Sequence, residues 1–357
     1  MKKFFFKLAL FVVLLATIAG AAVLLTLFVA PNYSENDYMA SFLRKYGRLK
    51  NTEPPRIILI GGSATAFGLD QYLLEEMTGY PVVNMAVHAG LGPELFFAPL
   101  RDEIGPGDIV VICFEFVEEW GNDYSLLLDL NDYTFLHFVP SSDYPLLARL
   151  IPAFMVKKWY YYIKYGVLGR KLKTTEESPY RLAAFDGDGQ MIYPRPKSLL
   201  DDALFAEMTQ SPLNTLFHDS NIEILDGIYR EASESGSVVL LSFPPVLKEA
   251  VDLDAAGIDK EQTAFETKLA VPIISKISDY LFDRELMYDT TYHCNTAGEK
   301  RRTELLGRDI NAYLAAARLK EEYATAERDN LFPRAATAVL ERLKMTRATR
   351  WRFSQTP

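Results

Sequence analysis

Ser63 closes the short apolar run Arg56-Ile-Ile-Leu-Ile60 behind two glycines, Gly61 and Gly62. A serine on a strand-to-helix turn is exposed at the carboxyl end of a sheet, where open α/β folds bind their ligands. The glycines let the backbone approach a substrate closely. The helix that follows offers unpaired N–H groups to a developing oxyanion. A serine hydroxyl is a weak nucleophile without a base, and Gly-Gly-Ser alone equally fits a serine that caps a helix. The base comes near the other end of the chain, where Asp289 precedes His293 by four residues in Tyr288-Asp-Thr-Thr-Tyr-His-Cys-Asn-Thr-Ala-Gly298. A loop of that length lets the carboxylate accept the proton of one imidazole nitrogen, which leaves the other nitrogen for a serine. Of the four histidines, His88 is the rival, in a loop at the same sheet edge, and His137 and His218 lie in or just after a less regular middle stretch. Cys294 is adjacent to the base, so its side chain points elsewhere and packs behind the loop.

The elements that must position these groups are legible as an alternation. Arg56–Ile60, Val82–Ala86, Ile109–Phe116 and Ser237–Phe243 are short, nearly continuous apolar runs. Helical spacing predicts helices over Leu69–Met77, Pro93–Glu103, Asn221–Ser235, Thr263–Leu281 and Ala297–Ala317. Such an alternation predicts an α/β protein with a parallel sheet covered on both faces. Residues 120–200 interrupt it with an aromatic-rich insertion that includes Trp159-Tyr160-Tyr161-Tyr162 beside Lys157 and Lys158. This insertion reads as a lid or helical cap, and the same mixture of aromatics and lysines also suits a bilayer surface. Residues 321–357 read as a C-terminal helix and a basic tail with Arg342, Lys344, Arg347, Arg350 and Arg352.

Lys2, Lys3 and Lys7 precede 23 uncharged residues from Leu8 to Ala30. At ~1.5 Å per residue such a run crosses a hydrocarbon core of ~30 Å. Apolar sequence continues past Ala19-Gly20-Ala21, and Pro31 is a poor first residue after cleavage, so the segment predicts an uncleaved anchor in residues 1–30. The lysines predict a cytoplasmic N-terminus and an outward-facing remainder. Residues 31–54 read as a polar, aromatic stalk, and residues 55–320 as the α/β domain. The net charge of −9 argues against nucleic-acid binding. Two cysteines make neither a disulfide framework nor a four-ligand zinc site. No phosphate loop or dinucleotide fingerprint is present, and neither a metal nor a cofactor is expected.

Gly61-Gly-Ser-Ala-Thr-Ala-Phe-Gly-Leu-Asp70 resembles the first block of the SGNH/GDSL hydrolase superfamily, in the Gly-x-Ser form of its membrane-anchored members. Asn84-Met-Ala-Val-His-Ala-Gly90 resembles the second block, and Asp289 to Gly298 the last. The resemblance covers roughly residues 55–315 and implies a flavodoxin-like sheet sandwiched by helices. It implies Ser63 as nucleophile, His293 and Asp289 as its base and orienting carboxylate, and the Ser63 and Gly90 amides as the oxyanion hole. Asn84 and His88 then fall beside the substrate. Two departures are visible. Three residues separate Asp289 from His293 where the family has two, and the third block, Gly-x-Asn-Asp, is missing. Glu115 stands where the oxyanion asparagine would be, with Asn122 a few residues on. An ionised carboxylate cannot donate to an oxyanion, so Glu115 is protonated or has another task, such as holding a substrate amine. The layout is similar to that of bacterial cell-envelope proteins that move acyl groups onto glycans. It implies a serine esterase or O-acyltransferase on the outer side of the cytoplasmic membrane, acting on an envelope glycan or acyl donor beside a membrane-bound acyltransferase. The alternative, favoured by the missing block, is an inactive scaffold or glycan-binding partner of such an acyltransferase.

Overall fold

The computed structural model describes residues 2–28, 38–118, 120–121, 123–128, 138–170 and 178–328. Helix α1 (Lys2–Phe28) is followed by α2 (Ser41–Asn51) and then by β1 (Ile57–Gly61), α3 (Ser63–Ala66), α4 (Gln71–Thr78), β2 (Val82–Asn84), α5 (Gly92–Phe97) and β3 (Ile109–Cys113). The insertion contributes α6 (Tyr124–Leu128) and α7 (Tyr144–Tyr161), which runs on as a π-helix over Tyr162–Val167. Next come α8 (Asp202–Met208), α9 (Ile222–Glu234), β4 (Val238–Leu241), β5 (Val246–Leu247), α10 (Ala255–Lys268), β6 (Leu281–Phe282) and α11 (Thr296–Arg328).

The architecture is α/β: a parallel sheet in the order β2-β1-β3-β4, flanked by helices. Every residue of β1 and β3 is buried, which is why these strands read as unbroken apolar runs instead of alternating ones. Pro272–Ile274 extends the sheet past β4, with Leu241 N donating to Pro272 O at 2.9 Å and Ile274 N donating to Leu241 O at 3.0 Å. β5 and β6 form a separate parallel pair. The register sets Gly61 beside Cys113, so the ends of β1 and β3 lie together where the chain turns to opposite sides of the sheet. Such a reversal opens a crevice at the carboxyl edge. The chain divides into two units between Glu304 and Leu305, and the sheet belongs to the first.

Several elements differ from the expectation: α5 ends at Phe97 instead of near Glu103, and α11 runs unbroken to Arg328, past Ala317 and into the stretch read as a separate C-terminal helix. The helix read over 263–281 is α10, which starts at Ala255 under an Asp254 cap (Gly257 N to Asp254 Oδ1, 2.7 Å) and ends at Lys268. Pro272 cannot continue a helix, and the residues around it pair with β4 instead. In the stretch read as a stalk, α2 packs Phe42, Lys45 and Leu49 inward, one face of a helix. Its basic residues serve the sheet. Lys45 Nζ donates to Asn84 O at 2.9 Å and Arg48 Nε to Val82 O at 2.9 Å, while Arg48 also pairs with Glu75 and Asp188. Burial lowers the Lys45 pKa to about 7. Residues 31–37 and the tail from 329 lie outside the described residues.

Candidate active site

β1 delivers its last residue, Gly61, to the sheet edge, and the chain turns through Gly62 into α3 with Ser63 as its first residue. Gly62 is needed for space. A Cβ there would lie 2.3 Å from Glu115 Oε2 and 2.7 Å from Ala89 Cα. The loops after β1, β2 and β3 therefore meet at this one glycine. The short helix is held from behind: Arg302, fully buried at 0% exposure, donates to Ala64 O at 2.7 Å and to Thr65 Oγ1 at 3.2 Å, and Thr65 Oγ1 donates to Cys113 O at 2.8 Å.

His293 reaches the same place from the other end of the chain. Its ring stacks on Phe67, four residues after Ser63, with centroids 4.6 Å apart and planes 10° from parallel. Nδ1 lies 3.1 Å from Asp289 Oδ1, which makes these two residues the acid–imidazole pair that their spacing predicted. The Thr290 hydroxyl shapes the loop by accepting the His293 N–H at 3.0 Å. The pairing engages Nδ1 and leaves Nε2 as the nitrogen available for proton transfer. The Ser63 hydroxyl makes no hydrogen bond to any described residue, and His293 is linked to its turn through the stack on Phe67.

Sequence reasoning missed three residues here. Tyr180 donates to Asp289 Oδ2 at 2.6 Å and stands 2.9 Å from His293 Nδ1, bridging the pair. Burial and the Asp289 charge both raise its pKa, so it stays a phenol. Arg195, 1% exposed, donates to the backbone carbonyls of Phe67 and of Cys294 and forms an ion pair with Glu299 at 2.9 Å. It thus ties the serine turn to the histidine loop. Arg302 is the third. No local pattern marks them, because each acts on residues roughly 100 or more positions away.

Of the two amides expected for an oxyanion hole, Ser63 and Gly90, the second is engaged inside the molecule, and so is the amide of Ala64 beside the first. The Ala64 N–H donates to Glu115 Oε1 at 2.7 Å, and the Gly90 N–H donates to His88 Nδ1 at 3.0 Å. Gly90 serves an oxyanion only by exchanging that bond. Glu115 stands against the Ser63 turn, at Gly62 and the Ala64 N–H. Burial raises its pKa, and the Ala64 N–H, His293 and Arg302 offset this only in part. An apolar recess beside it is lined by Phe114, Phe116, Trp120, Phe217 and Phe243. Asn84 is not a substrate residue. It is 1% exposed, its side chain donates to Thr65 O at 3.3 Å and accepts from Ala86 N at 3.1 Å, and it therefore fixes β2 to the serine turn. Asn122 lies outside the described residues. Cys113 and Cys294 are buried, with pKa values pushed up to about 11 and about 12, so neither is a thiolate nucleophile.

No family model matches the chain, and no curated protein matches it. Among solved structures, the X-ray structure of protein YxiM from Bacillus subtilis is similar with a TM-score of 0.34 and 14% identity, covering 72% of this chain and 56% of that one. The chain thus spans little more than half the length of that protein.

Proposed function

We propose that this chain is a membrane-anchored, outward-facing serine esterase or O-acyltransferase of the SGNH type, acting on acyl esters of a cell-envelope glycan. The observation that supports the reading is the His293–Asp289 pair, whose ring stacks on Phe67, four residues after Ser63 in the turn that follows β1. The strand order β2-β1-β3-β4 is the flavodoxin-like order and supports the fold assignment. The single apolar helix, Lys2–Thr26, supports the anchor.

In this mechanism Ser63 Oγ attacks the ester carbonyl carbon while His293 Nε2 takes its proton, and Asp289 steadies the imidazolium. His293 then returns the proton to the leaving alkoxide. The acyl-serine is resolved by water or by a sugar hydroxyl, which His293 deprotonates in turn. Glu115 takes the oxyanion role in its protonated form. One oxygen keeps the Ala64 N–H bond, and the other carries the proton that is donated to the substrate oxygen. Its burial favours that form.

The test follows from the sign. An ionised Glu115 repels the oxyanion, so hydrolysis of p-nitrophenyl acetate falls as pH rises through the Glu115 pKa. Glu115→Gln still accepts from Ala64 N–H and donates at every pH. At pH 8 it should exceed the wild type by up to about 10²-fold, the worth of one oxyanion donor, and the excess should shrink towards pH 5. A folded Glu115→Gln protein no faster than wild type at pH 8 contradicts this role. A second reading, a non-catalytic glycan-binding or partner-binding descendant, is favoured by the missing Gly-x-Asn-Asp block and by the engagement of the Gly90 amide within the protein.

A further inference from the structure

Outside α1, α7 and its π-helical extension carry most of the exposed large apolar side chains among the described residues. From Tyr144 to Arg170 there are five cations, Arg149, Lys157, Lys158, Lys164 and Arg170, and no acidic residue, in a protein whose net charge is −9. The inward face is narrow, with Leu147, Phe154 and Lys158 buried at spacings of seven and four. Roughly opposite, at helical spacing, runs an exposed apolar stripe: Leu146 at 46%, Val156 at 71%, Tyr160 at 55% and Ile163 at 50%, followed by Val167 and Leu168. Monomeric soluble proteins rarely leave such a contiguous stripe in water.

What covers it is indicated by its neighbour. α7 packs on the end of α1, the helix long and apolar enough to cross a membrane, and Trp159 Nε1 donates to Thr26 Oγ1 at 2.8 Å. Thr26 lies four residues before the end of the apolar run Leu8–Ala30, so this bond holds Trp159 near the level where the span leaves the hydrocarbon. Tryptophan and tyrosine favour that level. The Lys164 ammonium lies over the rings of Tyr160 and Tyr165, at 5.3 and 5.0 Å, as expected of a cation reaching towards headgroups. Arg149, Pro152, Lys157 and Lys158 make α7 too polar to be a second span. A helix with these properties lies in the interface plane.

We propose that α7 and its extension seat their exposed apolar stripe in the headgroup layer of the bilayer that α1 crosses, with anionic lipid as the partner of Arg149, Lys164 and Arg170, which lie outside the buried face. The inference stands whether or not Ser63 is reactive. It has a consequence for the site. α7 packs on α6, where the Tyr124 hydroxyl donates to Asp143, and the residue just before α6 holds the oxyanion loop through Asp123 N to Gly90 O at 2.8 Å. The seated helix is therefore two contacts from Gly90, which sets the Ser63 site close to the bilayer and suits a lipid-linked substrate.

The full chain in phosphatidylethanolamine–phosphatidylglycerol vesicles provides the test. Cys113 and Cys294 are buried, so a fluorophore attaches selectively to Val156→Cys, Ile163→Cys or the reference Glu234→Cys, all at exposed positions that tolerate change. Iodide should quench labels at 156 and 163 about fivefold less than at 234, and lipids brominated in the acyl chain should quench the first two and spare the third. Equal iodide quenching at all three positions overturns the proposal. So does protection from iodide without quenching by brominated lipid, which would mean that protein covers the stripe.

Discussion

His293→Ala should lower hydrolysis of short p-nitrophenyl esters by about 10²–10⁴-fold, the contribution of a positioned general base. The same replacement should leave the unfolding midpoint close to that of the wild type, since the ring stacks on one face of Phe67 and its carboxylate partner is part-exposed at 17%. Asp289→Asn should fall in the same class, because an amide can donate to Nδ1 and so select the wrong tautomer. Tyr180→Phe separates orientation from chemistry. It removes the hydroxyl that bridges Asp289 and His293 but leaves their own 3.1 Å contact in place. Its loss should stay below that of Asp289→Asn. Steady-state rates over a pH series, with folding checked by near-UV dichroism, decide this. If Tyr180→Phe were as inactive as His293→Ala, the pair would be incapable of holding its own geometry.

Arg195→Met should be the most destabilising single change near the site, by about 3–5 kcal/mol, because it leaves the buried partner Glu299 uncompensated. The effect has a pH signature. Burial raises the Glu299 pKa to about 7, and Arg195 pulls it down from where burial alone would place it. A raised folded-state pKa contributes stability that is fully present below the ordinary value of 4.5 and is lost as pH rises through about 7. Without Arg195 the pKa climbs further, so the deficit of Arg195→Met relative to wild type should be larger at pH 8 than at pH 5. Adding Glu299→Gln should recover much of the pH 8 loss. Part of the deficit should survive at pH 5, since Arg195 also binds the carbonyls of Phe67 and Cys294. Denaturant titrations of both variants at the two pH values measure this. A deficit independent of pH would remove Glu299 from the account.

The residues that proved legible in the sequence share one property: their signal is local. β1 and β3 are buried on both faces and so are written as unbroken apolar runs. Ser63 is announced by the two glycines that precede it, and Asp289 and His293 by their spacing on one loop. Glu115 follows the apolar run of β3 by two residues, where the resemblance puts the third block, and it lies against the Ser63 turn. What stayed hidden depends on contacts across the chain. Tyr180, Arg195 and Arg302 act on backbone and side chains far away in sequence, and nothing beside them indicates this. α2 read as a stalk because its cations look solvent-facing until they are seen bonded to the ends of β2. Asn84 looked like a substrate residue because its motif is shared with binding loops, yet its amide is fully used inside. The length of α10 was misjudged because apolar spacing continues through Pro272, which ends the helix.

An activated serine at position 63 is the central claim, and a fluorophosphonate tests it most directly. The full-length chain in detergent micelles or vesicles is treated with the probe and its peptides are mapped by mass spectrometry. A single adduct on Ser63, absent from His293→Ala and from heat-unfolded protein, is the result predicted. A folded chain that carries no adduct at Ser63 from pH 5 to pH 9 would contradict the account and leave the engaged Gly90 amide as the mark of a binding protein.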